Sequence, residues 1–194
     1  MAKTREKILD VALRLFNQHG TAAVSTNHIA EELGISPGNL YYHFRNKEEI
    51  IRALFERQFA ASDALFVLPA DRMPTIDDLL YLVQQNYALL AEYRFIYREL
   101  IALLRRDDAL RARWQDVRAR GFAGFNELMR GFTQAGILHV PDDDAEITRL
   151  AEVCWLVTEF WPPSVEVSGV ELDAERLQHG GELMLLILRP YLVA

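Results

Sequence analysis

Between residues 25 and 47 the chain gathers side chains suited to hydrogen bonding across a surface. They are Ser25, Thr26, Asn27, Asn39, Tyr41, Tyr42, His43 and Lys47. Amides and imidazoles of this kind can read base edges in a DNA groove, while hydroxyls and a lysine ammonium suit phosphate oxygens. Pro37 and Gly38 stand just before Asn39. A glycine there lets a backbone approach a partner closely.

The elements that must position these groups are two short helical patterns on either side of Gly34-Ile35-Ser36. In the first, Ile29, Ala30 and Leu33 make one apolar edge. Ser25 or Thr26 can cap its start, because a hydroxyl accepts from an otherwise unpaired backbone N–H. Gly34 suits its end, since glycine enters the left-handed region without a Cβ clash. In the second, Ser36 is an N-cap and Pro37 suits the first helical position. Leu40 and Phe44 face the core, which leaves Asn39, Tyr41, Tyr42 and His43 outward. Two helices joined by a tight turn of this type form a helix-turn-helix, whose second helix enters the major groove.

At this point the sequence resembles a family. Gly34-Ile35-Ser36-x-Gly38-x-Leu40-Tyr41-x-His43-Phe44-x-x-Lys47, preceded by Ile29-Ala30, is similar to the tetracycline-repressor (TetR) family of bacterial regulators. The likeness covers roughly residues 4–60. It implies an all-α fold, with an N-terminal three-helix helix-turn-helix DNA-binding domain over 1–47. A larger helical ligand-binding and dimerisation domain then occupies 48–194. It further implies that Ser25 and Thr26 lie on phosphate. Asn27 lies there too or reaches a base, although many members carry a basic residue at its position. Pro37, Gly38 and Asn39 open the recognition helix. Tyr41 and His43 are expected on phosphate or a thymine methyl, Tyr42 along the DNA backbone, and Lys47 on a phosphate. The plainer reading is structural: Tyr42 capping the small domain's core, and His43 hydrogen-bonding the fold.

The net charge of −7 runs against DNA binding until its distribution is considered. Residues 1–47 hold six basic and four acidic side chains. The remainder holds 15 basic and 24 acidic. Positive charge is therefore concentrated beside the proposed phosphates, with Lys3, Arg5 and Lys7 at the start of the first helix.

The first helix is expected from about Thr4 to Gln18, ending at Gly20, with Ile8, Val11, Ala12, Leu15 and Phe16 as its stripe. A fourth runs from near Lys47 to about Phe66. Leu68-Pro69 to Pro74-Thr75 interrupts the pattern, and Thr75 with Asp78 forms a capping-box start. Further helices are expected to Ala91, over Tyr93 to Arg106, and from Asp108 to Ala135, closed by Gly136. Another is expected from Asp143 to about Phe160, stopped by Trp161-Pro162-Pro163, and a last from Asp173 to Val193.

Leu183 to Leu188 is apolar on every side, and Val153 to Phe160 nearly so. A helix apolar all round is buried all round. A chain of 194 residues has little room to surround two terminal helices, so a second copy is expected on one side. Leu177, Gly180, Gly181, Met184, Leu188 and Tyr191 form a candidate interface line, with Cys154 and Trp161 on the preceding helix. The alternative is a plain interior helix in a monomer. The resemblance favours the homodimer, paired through its last two helices.

The body between Tyr81 and Trp161 is rich in aromatics with few polar interruptions. Asn86, Tyr87, Trp114, Phe125, Trp155 and Glu159 are the candidate contacts for a small apolar effector, although aromatics at helical spacing also make ordinary core. No cofactor or metal is expected. The single cysteine excludes an intrachain disulfide and a cysteine-based zinc cage. Phosphate-loop, dinucleotide and nucleophile-elbow motifs are absent, and five histidines are scattered. Carboxylate pairs at Asp107-Asp108 and at Asp142 to Asp144 sit at helix starts, where capping explains them. Binding is thus expected rather than catalysis. No signal-peptide pattern or apolar run of about 18 residues appears, and a cytoplasmic protein is the simplest expectation.

Overall fold

The computed structural model describes residues 2–140 and 143–193. Asp142, one of the carboxylates singled out above, lies outside them. Among the described residues there are nine α-helices and no strand. Helices α1 (Ala2–Ala23), α2 (Thr26–Leu33) and α3 (Pro37–His43) form the N-terminal unit. They are followed by α4 (Lys47–Leu65), α5 (Ile76–Glu92), α6 (Arg94–Arg106), α7 (Asp108–Gln134), α8 (Asp144–Val167) and α9 (Ala174–Leu188).

Helix α1 breaks where glycine was expected to end it. Gly20 adopts φ 78°, ψ 158°, a region open essentially only to glycine, and one further helical turn follows. Ile8, Leu9, Ala12, Leu15 and Phe16 of α1 are buried with Ile29, Ala30, Leu40, Phe44, Ile50 and Leu54. The small unit therefore shares its core with the first half of α4. Helix α4 is started by Asn46, whose side chain accepts from Glu49 N at 2.9 Å. The Thr75–Asp78 capping box opens α5, and Asp107 caps α7 by accepting from Leu110 N at 3.0 Å.

Two helix ends differ from expectation. Helix α8 does not stop at Trp161 but runs through Pro162 and Pro163 to Val167. The two prolines lack the amides that would bond back one turn, and a proline inside a helix costs about 3 kcal/mol. Packing of α8 on α9 carries the helix through. Pro162 and Val165 are buried, and Trp161 lies against His179 at 5.4 Å between rings. Helix α9 ends earlier than expected, at Leu188. Pro190 tightens the chain into a 3-10 turn over Arg189–Tyr191. The tail then pairs with the segment after α7, through His139 N to Tyr191 O at 2.7 Å and Val193 N to Ile137 O at 3.0 Å.

The body is built around α5, which packs on α4, α8 and α9, while α6 and α7 close the other side against α8. Helix α6 also packs on α1, joining the body to the small unit.

Candidate nucleic-acid interface and internal cavity

Ser25 opens α2 with a reciprocal cap. Its Oγ accepts from His28 N at 3.2 Å, and its own N–H donates to His28 Nδ1 at 3.4 Å. His28 therefore has a structural task at the start of α2. Gly34 ends α2 at φ 69°, and its N–H donates to the Ala30 and Glu31 carbonyls. Ser36 caps α3 by accepting from Asn39 N at 3.2 Å. The Thr26 and Tyr41 hydroxyls meet at 3.1 Å, tying the start of α2 to the middle of α3.

On this frame Ser25, Asn27, Pro37, Gly38, Asn39, Tyr41 and Tyr42 are exposed, while Thr26, His43 and Lys47 are half-buried. Tyr42 is 71% exposed, so it does not cap the core of the small unit. His43 lies edge-on to the Tyr42 ring at 5.2 Å. The Lys47 ammonium donates to the carbonyls of Thr21 at 2.5 Å and Val24 at 3.0 Å. It thus bridges the end of α1 to the start of α4 with two of its three donors.

A cavity of 370 Å³ opens in the body between α4, α5, α7, α8 and α9. Five of the six expected contacts line it: Asn86, Trp114, Phe125, Trp155 and Glu159. Tyr87 does not. Its ring is buried against Gly180 of α9, and its hydroxyl has no partner. One wall is an aromatic–ionic stack. Phe122 and Trp155 lie nearly parallel at 4.5 Å, and the Arg118 guanidinium sits over both rings at 5.3 and 5.7 Å. Arg118 also donates to Glu159 Oε1. Burial pushes the Glu159 carboxyl above its ordinary range, and Arg118 pulls it back. Burial alone pushes the Cys154 thiol up to about 12, so this cavity-lining cysteine is a neutral apolar group. At the α4 wall, Gln58 Nε2 donates to Ser62 Oγ and to Tyr97 OH, both at 3.0 Å.

Helix α6 connects cavity and small unit. Tyr97 lines the cavity. The next residue, Arg98, donates to the Phe16 carbonyl at 2.8 Å and the Asn17 carbonyl at 3.2 Å. Glu99 then accepts from Thr21 N at 2.9 Å and Thr21 Oγ1 at 2.5 Å. Asn17 returns the contact, donating to Glu92 O at 2.8 Å and accepting from Phe95 N at 3.1 Å.

Residues 58–194 match the TetR family of the description "Bacterial transcriptional repressor", and residues 8–54 match "Bacterial regulatory proteins, tetR family". The chain belongs to the TetR family. Among solved structures, a TetR-family transcriptional regulator from Marinobacter aquaeolei VT8 is 35% identical, with a TM-score of 0.88 over 98% of this chain and 91% of that one. SmeT, solved as a complex with triclosan, shares the fold at 23% identity, with a TM-score of 0.66 over 98% of this chain and 92% of that one. Among curated proteins, the HTH-type transcriptional regulator AcrR of Shigella flexneri is 43% identical over 54 residues, 28% of this chain and 25% of that protein. The curated relatives are thus matched over only about a quarter to a third of their length. TetR-family chains are DNA-binding transcriptional regulators, and the small N-terminal unit here has the corresponding helix-turn-helix.

The residues expected at a dimer interface are distributed as follows within the single subunit. Gly180 and Gly181 are buried on α5, beside Tyr87 and Val83. Met184, Leu188 and Cys154 line the cavity. Leu177, Trp161 and Tyr191 are half-buried, and the Tyr191 hydroxyl donates to Glu146 Oε1 at 3.2 Å. Within one subunit, then, Gly180 admits the large rings of Tyr87 on α5 and Trp161 on α8, while Leu177, Trp161 and Tyr191 keep part of their surface exposed. Large apolar side chains left exposed on these helices are Val153, Leu156, Phe160 and Val167 of α8 and Leu186 of α9. Sequence reading also missed Gln58, Tyr97, Arg118 and Thr158 at the cavity. Gln58 carried a signal: it interrupts the apolar run Leu54, Phe55, Phe59 on the inward face of α4.

Proposed function

We propose that this TetR-family chain is a repressor that binds a pseudo-palindromic operator as a homodimer and is released by a small apolar or aromatic ligand. Residues 1–47 serve as the DNA-binding domain, and 48–194 as the ligand-binding and dimerisation domain. The observation that carries this reading is the pairing of an exposed recognition face with a cavity in the body, joined through α4 and α6. Asn39 reads a base edge. Ser25 and Thr26 contact phosphate, Asn27 a phosphate or a base edge, and Tyr41 and His43 a phosphate or a thymine methyl, with Pro37 and Gly38 allowing close approach and Tyr42 lying along the backbone. Lys47 gives its remaining donor to a phosphate. Asn86, Trp114, Phe125, Trp155 and Glu159 contact the ligand. The protein works in the cytoplasm by binding rather than by catalysis. Among the described residues no helix is long and apolar enough to cross a membrane.

Two recognition helices related by a two-fold axis require half-sites about one helical turn, ~34–36 Å, apart or a multiple of it. Selection of bound DNA from a random pool tests this directly. An inverted repeat with that spacing is the expected result. Enrichment of an asymmetric site, or no enrichment, would count against the reading. Addition of apolar compounds to the selected complex tests the ligand arm, where a compound that raises the melting temperature should also release DNA.

A further inference from the structure

Gln58 is 4% exposed and lines the cavity from α4. Both hydrogens of its amide are committed, to Ser62 Oγ and Tyr97 OH, and these anchors hold the side chain in place. Its carbonyl oxygen, Oε1, is buried without any partner. Buried acceptors are almost always satisfied, so an orphan beside a cavity marks where a bound molecule supplies the donor. The neighbourhood sets the rest of that molecule. Phe59, Trp114 and Phe125 present apolar faces, and the lining charges balance, with Asp63 and Glu159 against Arg118 and Arg120. Glu159 is already paired with Arg118. Neither an anion nor a cation finds an unmatched charge there.

We propose that the cavity takes a neutral, largely apolar molecule ending in an O–H or N–H donor, and that Gln58 Oε1 receives this donor. The proposal rests on the reading of the body as a ligand-binding domain and specifies the chemistry of its occupant. Gln58 acts as a specificity residue. It selects donor-bearing molecules over isosteres that lack the donor, because only the former satisfy its carbonyl.

The test uses 4-hexylphenol and its methyl ether, 4-hexylanisole, titrated into the full chain and followed by quenching of tryptophan fluorescence, since Trp114 and Trp155 line the site. Comparing wild type with Gln58→Met cancels the intrinsic hydrophobicity of the two probes. The phenol's advantage over the ether should fall about threefold to tenfold in the variant, the size of one neutral hydrogen bond. Gln58→Leu should behave alike, and binding of the selected DNA reports that both variants fold. A phenol-to-ether ratio unchanged in both variants, or failure of the phenol to bind the wild type, would overturn the proposal. Binding of the phenol with a Gln58-dependent advantage, but without release of DNA, would uphold it and remove the sensor role instead.

Discussion

Lys47 joins two roles in one ammonium group. Its sequence position beside the recognition helix points to a phosphate, whereas its geometry closes the carbonyl end of α1. A charged hydrogen bond of this kind contributes about 1.5–3 kcal/mol. Lys47→Met is therefore expected to lower stability by that order in chemical denaturation. If its third donor meets DNA, the slope of log affinity against log salt should also flatten by about one unit. Asn39→Ala gives a different pattern, a loss of about 1–3 kcal/mol confined to one base position. Glu159 has a pH signature. Burial raises its pKa in the folded state above its ordinary value of 4.5, so folding favours the protonated carboxyl. The linked stability is fully present below that ordinary value and is lost as pH rises through the raised folded pKa. Thermal melts across this window should show wild type losing stability as pH rises, and Glu159→Gln should lose less. At this scale, the exposed recognition set was legible because polar and apolar positions alternate at helical spacing. The Gln58 orphan and the Arg118–Glu159 pair were not, since both depend on which distant helices converge.

Elements were legible where capping chemistry is local. Ser25, Ser36, Thr75, Asp107 and Asp143 all cap the helices expected of them. The misread ends of α8 and α9 both involve proline, and they show that the residue has no fixed meaning. Packing on α9 carries α8 across Pro162-Pro163, while nothing comparable holds α9 beyond Pro190. The inward turn of the α9 glycines was illegible for a related reason: a small residue announces close approach but not to what. Gly180 now has a definite neighbour. A Cβ there would lie 2.5 Å from a Tyr87 ring carbon and 2.6 Å from Trp161 Nε1. Gly180→Ala should therefore wedge α9 away from α5 and α8 and cost about 1–3 kcal/mol. A melting temperature equal to wild type would show that the rings have room to retreat.

For the whole molecule, the apolar surface left after folding is the informative quantity. Val153, Leu156 and Phe160 recur along α8 at helical spacing, and Leu186 is 60% exposed on α9. Exposed apolar side chains spaced along one helix in this way are the candidate contact for the proposed dimer. Leu156→Glu places a charge in that stripe without touching the subunit core. If the proposed dimer pairs here, the substitution should yield monomers in sedimentation and weaken operator binding, while the monomer's helical content stays intact. A dimer that survives the substitution would move the contact elsewhere.

The run Tyr97-Arg98-Glu99 gives α6 the character of a crankshaft. One crank pin sits at the chamber wall and the next two are bolted to the rear of the reading head, with no slack chain between them. Tyr97, Arg98 and Glu99 lie within one helical turn, so a displacement of that turn's backbone carries all three. In the proposed ligand response, this single turn of backbone is the shortest route from the chamber to the reading head.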